Sequence, residues 1–234
     1  MPRCFVRQHM NWPTSAQPEA LFPSFSGSED GAVPQFPAGE PAWRILDPAH
    51  PLGIKSQMSQ LSGTIDCENP GFFTVGEGII IDATATVEAG AYIIGPCYIG
   101  PHAVVRSGAY VREFSWICAG AVVGHSTETK HSILLPGAKA PHFNYVGDSI
   151  LGANVNLGAG TKLSNLRNDG NEVHVRIDGK RIGSGLRKFG AVLGEGCALG
   201  CNSVTNPGVV LGCNNVVWPN ATVTGIHGPD VEHR

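Results

Sequence analysis

Two basic residues in the middle of this 234-residue chain, Arg112 and Lys130, stand 18 residues apart. The chain around them repeats every six residues, so three repeats return the backbone to the same position one strand spacing, about 5 Å, further along the fold. Two cations held that close repel each other, and an anion between them relieves the repulsion. The pair therefore predicts an anion site, with phosphate as its natural ligand. Two solvated corner residues are the alternative.

A histidine suited to proton transfer follows in residues 135–143. The imidazole of a free histidine titrates near pH 6.5, so His142 can accept a proton from an attacking amine or hydroxyl at neutral pH. A merely exposed loop histidine is the alternative interpretation. Asn156 and Asn165 add side-chain amides that can hydrogen-bond a sugar or an acyl carbonyl, although asparagine also favours the turns of repeat folds.

Three histidines, His125, His131 and His142, raise zinc binding as another use of this region. His125 and His131 are six residues apart and therefore fall on neighbouring faces of one coil, and the sequence shows no carboxylate partner for either. The sequence therefore favours a site without metal.

The element that must position these residues is a hexapeptide repeat. Apolar residues stand at every sixth position, namely Ile81, Val87, Ile93, Ile99, Val105, Val111, Ile117 and Val123. A small side chain precedes each of the last seven by two positions. Neither an α-helix nor an ordinary strand has this period. It predicts an all-β fold, a parallel β-helix with the apolar residue inside and the small residue at the corner.

Two interruptions divide the repeat. The phase resumes at Tyr145, 22 residues after Val123, which predicts about four extra residues in a loop extruded within residues 135–143. A second break over residues 166–190 contains a stretch that alternates around Asp178-Gly179, and this pattern predicts a projecting β-hairpin. The period then returns and runs to residue 223.

These boundaries predict a simple domain organisation. Residues 1–70 form an irregular leader and an N-terminal cap, with a helical turn at residues 41–46 that covers the open end of the β-helix. Residues 71–228 form the β-helix domain, with the hairpin inserted at about residues 167–187. Residues 229–234 form a frayed tail.

Composition narrows the function classes. The net charge is −3 and only 15% of residues are charged, with no basic run, so no nucleic-acid surface is expected. The seven cysteines include no CxxC pair, which favours a reducing compartment. No signal peptide and no membrane span are recognisable, so we expect a cytoplasmic protein.

Residues 111–165 resemble the acetyltransferase domain of the bifunctional glucosamine-1-phosphate acetyltransferase/N-acetylglucosamine-1-phosphate uridyltransferase family. Residues 139–148 read Lys-Ala-Pro-His-Phe-Asn-Tyr-Val-Gly-Asp and residues 154–161 read Asn-Val-Asn-Leu-Gly-Ala-Gly-Thr, as in that family's motifs. The hairpin and residues 187–191 look more like archaeal-type sugar-1-phosphate nucleotidyltransferase/acetyltransferases. Over roughly residues 75–225, the resemblance implies a left-handed parallel β-helix that forms a homotrimer with sites between subunits.

The resemblance also implies a role for each matching position. His142 matches the catalytic general base that deprotonates the 2-amino group. The substrate-binding positions match Arg112 and Lys130 at the phosphate, Tyr145, Asn156 and Asn165 around the sugar, and Lys188 closing over it. Acetyl-CoA, as co-substrate, would contact Ala159, Cys201 and Pro219. Cys201 and Pro219 replace a serine and a small residue of the family pattern, and Leu166 replaces a tyrosine, so the acetyl-CoA side is the altered side.

The sequence therefore predicts a CoA-dependent N-acetyltransferase acting on an amino-sugar 1-phosphate. Three alternatives stay open: an acyltransferase with another sugar acceptor or acyl donor, a non-catalytic hexapeptide-repeat subunit that binds sugar phosphates, and a γ-class carbonic anhydrase, which would contain zinc. No glycine-rich nucleotide motif stands upstream, so nucleotidyl transfer is expected from a separate protein.

Overall fold

The computed structural model describes residues 12–27, 29–61, 73–177 and 179–234. Its body is a three-sided prism made of three parallel sheets of eight strands each. The chain passes through the three sheets in turn, which we call A, B and C, so each circuit adds one strand to every sheet. The predicted fold class, a left-handed parallel β-helix of hexapeptide repeats, is confirmed.

The strands are short, as the repeat requires. Sheet A contains Phe73–Val75, Tyr92–Ile94, Tyr110–Val111, Glu128–Lys130, Tyr145–Gly147, Lys162–Leu163, Val204–Thr205 and Thr222–Val223. Sheet B contains Ile79–Ile81, Cys97–Ile99, Ser115–Ile117, Ser132–Leu134, Ile150–Leu151, Ala191–Leu193, Val209–Leu211 and Ile226–His227. Sheet C contains Thr86–Val87, Val104–Val105, Val122–His125, Lys139–His142, Asn156–Leu157, Ala198–Leu199, Val216–Val217 and Glu232–His233.

The inside of the prism is the apolar column that the hexads predict. Residues from Ile93 to Val223 at the repeat position are buried, and the small residues two positions earlier are buried with them. Cys97 and Cys197 occupy the small-residue position, and burial raises the pKa of each thiol to about 12. Both thiols therefore act as small apolar groups, as the sequence indicates.

The extruded loop predicted within residues 135–143 does not form. Lys139–His142 is instead a strand of sheet C, paired with Val122–His125. The phase slips because the turn from sheet A to sheet B is one residue shorter in this part of the chain, so Thr129 and Leu134 are neighbouring core positions five residues apart. Val146 rather than Tyr145 points into the prism. The same shortening recurs from Val146 to Leu151, so the slip is one residue removed from each of two successive coils and not four residues added.

The hairpin forms but does not project. His174–Ile177 pairs antiparallel with Lys180–Gly183, and Asp178 of the predicted turn lies outside the described residues. Val173 and Val175 are fully buried in an apolar cluster on the outer face of sheet B. Their burial holds the hairpin against its own prism, a consequence of the valines that alternate in its first strand.

Residues 12–27 and 29–61, which we call the N-terminal strap, lie along the same outer face of sheet B. The strap contains two α-helices, Pro18–Leu21 and Ile54–Met58, and two 3-10 helices, Thr14–Ala16 and Ala42–Leu46. The expected helical turn at residues 41–46 is therefore present, but it covers the side of the prism and not its open end. Trp43 is fully buried and stacks on Phe189 with 5.4 Å between ring centroids. Large apolar side chains on the outer face of sheet B, such as Trp116, explain this position.

The last residues are also ordered. Glu232–His233 adds the final strand to sheet C by pairing with Val216–Val217, and His233 Nε2 lies 2.9 Å from Asn215 Oδ1. The frayed tail predicted at residues 229–234 is therefore wrong. Within the described part of the chain, no helix has the length and apolar character needed to cross a membrane.

Candidate functional site

The turns that lead from sheet A to sheet B, here called the AB corner, bring the two predicted cations together. Val111 pairs with Thr129 in register, and the Arg112 N–H donates to the Thr129 carbonyl at 2.8 Å. Arg112 and Lys130 therefore occupy equivalent positions in successive coils, as their 18-residue spacing predicts. The parallel register of the backbone strands fixes the stacking of Arg112 on Lys130, so it does not depend on an interaction between the two side chains.

A pocket of about 460 Å³ opens at the AB corner. The prism contributes Arg112, Glu113, Phe114, Lys130, His131 and Asp148, the strap contributes Leu46, Pro48 and Lys55, and the chain after the hairpin contributes Leu186, Arg187 and Lys188. Lys188 reaches the pocket because its backbone bridges to Leu166. Three of the predicted phosphate or sugar contacts, Arg112, Lys130 and Lys188, thus line one cavity.

The pocket has an excess of positive charge. Arg112 forms an ion pair of 2.8 Å with Glu128, which raises the Arg112 pKa, and its Nε atom lies 3.7 Å from Glu113 Oε2. Within the described ranges, no carboxylate forms an ion pair with Lys130 or Lys188. The positive charge of Lys130 lowers the pKa of Lys188, and burial adds to the effect. Two ammonium groups that destabilise each other in this way favour an anion between them.

A polar chain that the sequence did not reveal runs beside these cations. His131 Nδ1 lies 2.9 Å from Asp148 Oδ1, and the Asn165 side-chain amide donates to Asp148 Oδ2. Asn165 also hydrogen-bonds to Tyr145, whose pKa is raised mainly by burial and further by Glu128 and Asp148. The statement that His131 has no carboxylate partner is therefore wrong. The signal was present in the sequence as the 17-residue separation of His131 and Asp148, but it is readable only once the shortened coil is known.

The AB corner also carries unusual backbone angles. Phe114, His131 and Asp148 have φ of 61°, 47° and 46°, and their backbone hydrogen bonds place them in successive coils. Positive φ is uncommon outside glycine, although His and Asp adopt it more readily than most residues. The same positive φ recurs at corners away from this pocket, such as Asn202 and Asn214, so it belongs to the turn geometry of the repeat.

The other edge of sheet A, the CA corner where sheet C leads into sheet A, gathers the remaining predicted residues. The Gly160 N–H donates to the His142 carbonyl at 2.9 Å, the Asn202 N–H to Ala159 at 2.8 Å, and the Asn220 N–H to Cys201 at 2.9 Å. Gly158 and Gly200 lie against the backbone of Cys201 and Pro219.

His142, Ala159, Cys201 and Pro219 therefore form one ascending column. Cys201 and Pro219 are exposed, and a Cβ at Gly158 or Gly200 would clash with the coil above. The column offers small, accessible side chains and unbroken backbone to an extended ligand.

Sheet A separates the two corners by one strand of three residues, a distance of about 10 Å. Glu128 and Tyr145, paired in register, present their side chains on the outer face between the corners. A flat polar ligand spanning that face would meet the cations at one end and His142 at the other.

Two predicted residues lie apart from this arrangement. Asn156 is exposed on sheet C, where it pairs with Lys139, and lines neither the pocket nor sheet A. The exposed His142 ring is tilted by 39° against the Phe143 ring at 6.5 Å between centroids and has no hydrogen-bond partner among the residues described. The described residues contain no group of three or more His, Cys, Asp or Glu side chains placed to hold a metal ion.

Comparison with known proteins gives one family match and several relatives. The model of the family described as the GMPPB C-terminal domain matches residues 93–224. The bifunctional sugar-1-phosphate nucleotidylyltransferase/acetyltransferase of Sulfurisphaera tokodaii is 41% identical over 145 residues, which cover 62% of this chain and 36% of the relative. The bifunctional protein GlmU of Methanococcus vannielii is 36% identical over 160 residues, covering 68% of this chain and 37% of the relative.

The chain thus spans little more than a third of the length of these curated relatives. Among solved structures, the acetyltransferase domain of PglB from Neisseria gonorrhoeae is similar with a TM-score of 0.31 and 18% identity, over 64% of this chain and 51% of that chain. The predicted resemblance to the bifunctional sugar-phosphate enzymes is confirmed by the named relatives.

Proposed function

This chain belongs to the family of the GMPPB C-terminal domain, and we propose that it is an N-acetyltransferase that moves an acetyl group from acetyl-CoA to the amine of an amino-sugar 1-phosphate. The observation that carries the proposal is the convergence of Arg112, Lys130 and Lys188 on one pocket at the edge of sheet A. His142 and the column of Ala159, Cys201 and Pro219 occupy the opposite edge of the same sheet.

The acceptor fits the surface between the two corners. Its phosphate would lie among the cations of the AB corner, where it would receive charge-assisted hydrogen bonds from Lys130 and Lys188. Its sugar ring would cross sheet A beside Tyr145 and Asn165, which are joined to Asp148 by hydrogen bonds. A ring that crosses the face in this way brings its amine to the CA corner.

The chain's part in the reaction is to orient the acceptor and to move a proton. Acetyl-CoA, held along the column of Ala159, Cys201 and Pro219, supplies the acetyl thioester. The amine nitrogen bonds to the acetyl carbon, the carbon–sulfur bond breaks, and the released thiolate takes up a proton. His142 accepts the proton that the amine loses, and backbone N–H groups of the coil turns stabilise the negative charge on the carbonyl oxygen.

The exposure of the CA corner supports assembly into a homotrimer. Phe143 beside His142 is 57% exposed, and Trp218 beside Pro219 is 45% exposed. Large apolar side chains at a rim of this kind are typical of surfaces that a partner covers. A neighbouring subunit on this edge would enclose the acetyl-transfer site and fix the His142 ring, which a single chain leaves unpartnered within its described residues.

A second candidate, a non-catalytic subunit that binds sugar phosphates, is favoured by one specific observation. The cation pocket is complete within one chain, whereas the His142 side has no orienting partner there and carries Cys201 and Pro219 at positions where the resembling family has other residues. Such a subunit would bind the same ligands without turnover.

A thiol-release assay separates the two candidates. The purified chain is mixed with acetyl-CoA and a panel of amino-sugar 1-phosphates, their unphosphorylated sugars and their N-acetylated forms. We expect release of free CoA with phosphorylated amines only. Binding of the phosphorylated sugars without any release of CoA would reject the enzyme and favour the binding subunit.

A further inference from the structure

Two buried nitrogen atoms in the cation pocket have no hydrogen-bond partner among the residues that the structure describes. Arg112 Nε and His131 Nε2 are both inaccessible and unsatisfied, apart from the 3.7 Å ion pair of Arg112 with Glu113, which is too long for a hydrogen bond. Both residues line the pocket, and His131 is only 6% exposed. A buried polar atom without a partner destabilises the empty pocket, so a pocket with two of them favours a ligand that accepts hydrogen bonds.

His131 is held in one orientation. Its Nδ1 atom faces Asp148 Oδ1 at 2.9 Å, and its ring meets the edge of Phe114 at 6.0 Å between centroids. The Nζ atom of Lys55 in the strap lies over the Phe114 ring, 4.8 Å from its centroid. Since Asp148 is an acceptor, Nδ1 carries a hydrogen, and the free Nε2 of a neutral ring is then an acceptor.

We propose that His131 is a ligand-binding residue that donates Nε2–H to the phosphate of the acceptor, and that it takes up a proton when this anion binds. A neutral His131 would turn a lone pair towards the anion, which is repulsive. A protonated His131 donates from both nitrogens, one to Asp148 and one to the ligand. The inference deepens the proposed function, because it rests on the same anion pocket.

The charges around His131 support a coupling between anion binding and protonation of His131, both in the empty and in the occupied pocket. The prism places Arg112, Glu113, Lys130 and Asp148 in the pocket, the strap adds Lys55, and the chain after the hairpin adds Lys188 beside Arg187. In the empty pocket, the cations oppose a further positive charge on His131. A bound dianion offsets them, and Asp148 then stabilises the imidazolium.

Sulfate is a suitable probe because its charge is constant near neutral pH, so any proton that the buffer loses on binding is taken up by the protein. Titration calorimetry in two buffers with different ionisation heats measures that proton uptake. We expect the wild type to take up a measurable fraction of a proton when sulfate binds, and its affinity for sulfate to fall as the pH rises.

His131→Asn should abolish most of this uptake and weaken sulfate binding about tenfold. Asparagine tolerates the positive φ at this position, so the turn is preserved. His102→Asn is the matched control, since His102 is also a histidine with positive φ but is exposed and away from the pocket. It should leave binding and uptake unchanged.

Lys188 is the competing site of proton uptake, because its pKa is lowered by Lys130. Lys188→Arg removes that site, because arginine is already charged, and proton uptake should persist in this variant. Asp148→Asn, which retains Asn165 as a neighbour, should reduce the uptake and serves as a second test if the His131 variant does not fold. Unchanged uptake in His131→Asn, loss of uptake in Lys188→Arg, or absence of sulfate binding by the wild type would each overturn the proposal.

Kinetics distinguish this inference from the proposed function. If acetyl transfer occurs, His131→Asn should raise the KM for the phosphorylated acceptor and change kcat little. A fall in kcat alone would mean that His131 is a general base and not an anion ligand. Proton-coupled sulfate binding in a protein that releases no CoA would reject the proposed enzyme and leave the role of His131 standing.

Discussion

Lys130→Met tests the anion pocket most directly, because it removes a charge while keeping most of the side-chain volume. Lys130 lies in register above the Arg112 position and beside Lys188, and it forms no ion pair with the described carboxylates. A charge-assisted hydrogen bond contributes about 1.5–3 kcal/mol. At 1.4 kcal/mol per factor of ten, Kd for an amino-sugar 1-phosphate should rise about 10- to 150-fold.

The lower part of that range is expected because Lys188 compensates. In the wild type, Lys130 lowers the pKa of Lys188, so binding is lost as the pH rises through that lowered pKa and Lys188 loses its charge. Without Lys130, Lys188 keeps its charge to higher pH. The alkaline limb of the affinity profile should therefore move to higher pH in Lys130→Met.

Calorimetric titration with glucosamine 1-phosphate and with glucosamine measures both effects. Lys180→Met is the control, since Lys180 is an exposed lysine of the hairpin and does not line the pocket. The variant should lose affinity for the phosphorylated sugar only. Equal losses for both sugars, or an alkaline limb that stays in place, would refute the reasoning and make Lys130 a structural residue.

Three further predictions follow from the same geometry. His142→Ala should lower the rate of acetyl transfer about 10²- to 10⁴-fold with an unchanged thermal melting curve, and a near-normal rate would exclude His142 as the base. Replacing residues 167–187 by a short Gly-Ser link should lower the free energy of unfolding, measured in urea, by about 3–6 kcal/mol, because the buried side chains of Val173 and Val175 are lost. An unchanged free energy of unfolding would mean that the hairpin is dispensable for stability. Trp43→Ala should cost about 3–5 kcal/mol because the ring that stacks on Phe189 is fully buried, and a cost below 1 kcal/mol would show that the strap is weakly attached.

The sequence predicts the prism well because the hexad pattern is a local signal. Each residue at the repeat position, such as Ile99 or Leu211, points inward for the same reason, and the stacking of strands needs no information beyond the period. The strap and the hairpin were harder to predict. Their position depends on outward-facing residues such as Trp116, which the period treats as solvent positions. An apolar residue on the outer face predicts a covering segment but does not say which segment covers it.

The residues of the candidate site also differ in how far the repeat predicts them. The alignment of Arg112 with Lys130 follows from an 18-residue coil, and it was predictable. Lys188 is separated from them by the hairpin, so only the resemblance identified it. His131 and Lys55 could not be assigned, because one needs the exact coil length and the other needs the docking of the strap.

The shortened coil itself creates the His131–Asp148 pair. Lys130 pairs with Gly147 in register, so the following residues, His131 and Asp148, face each other across the coils. In a coil of 18 residues, His131 would face Ser149 instead, and a neutral hydroxyl could not stabilise an imidazolium. One residue removed from a turn thus places a carboxylate behind a buried histidine at the edge of a cation pocket. Restoring that residue by an insertion between His131 and Ser132 should keep the sheets stacked while breaking the pair, because the inserted residue would then face Asp148 and each sheet depends only on its own register.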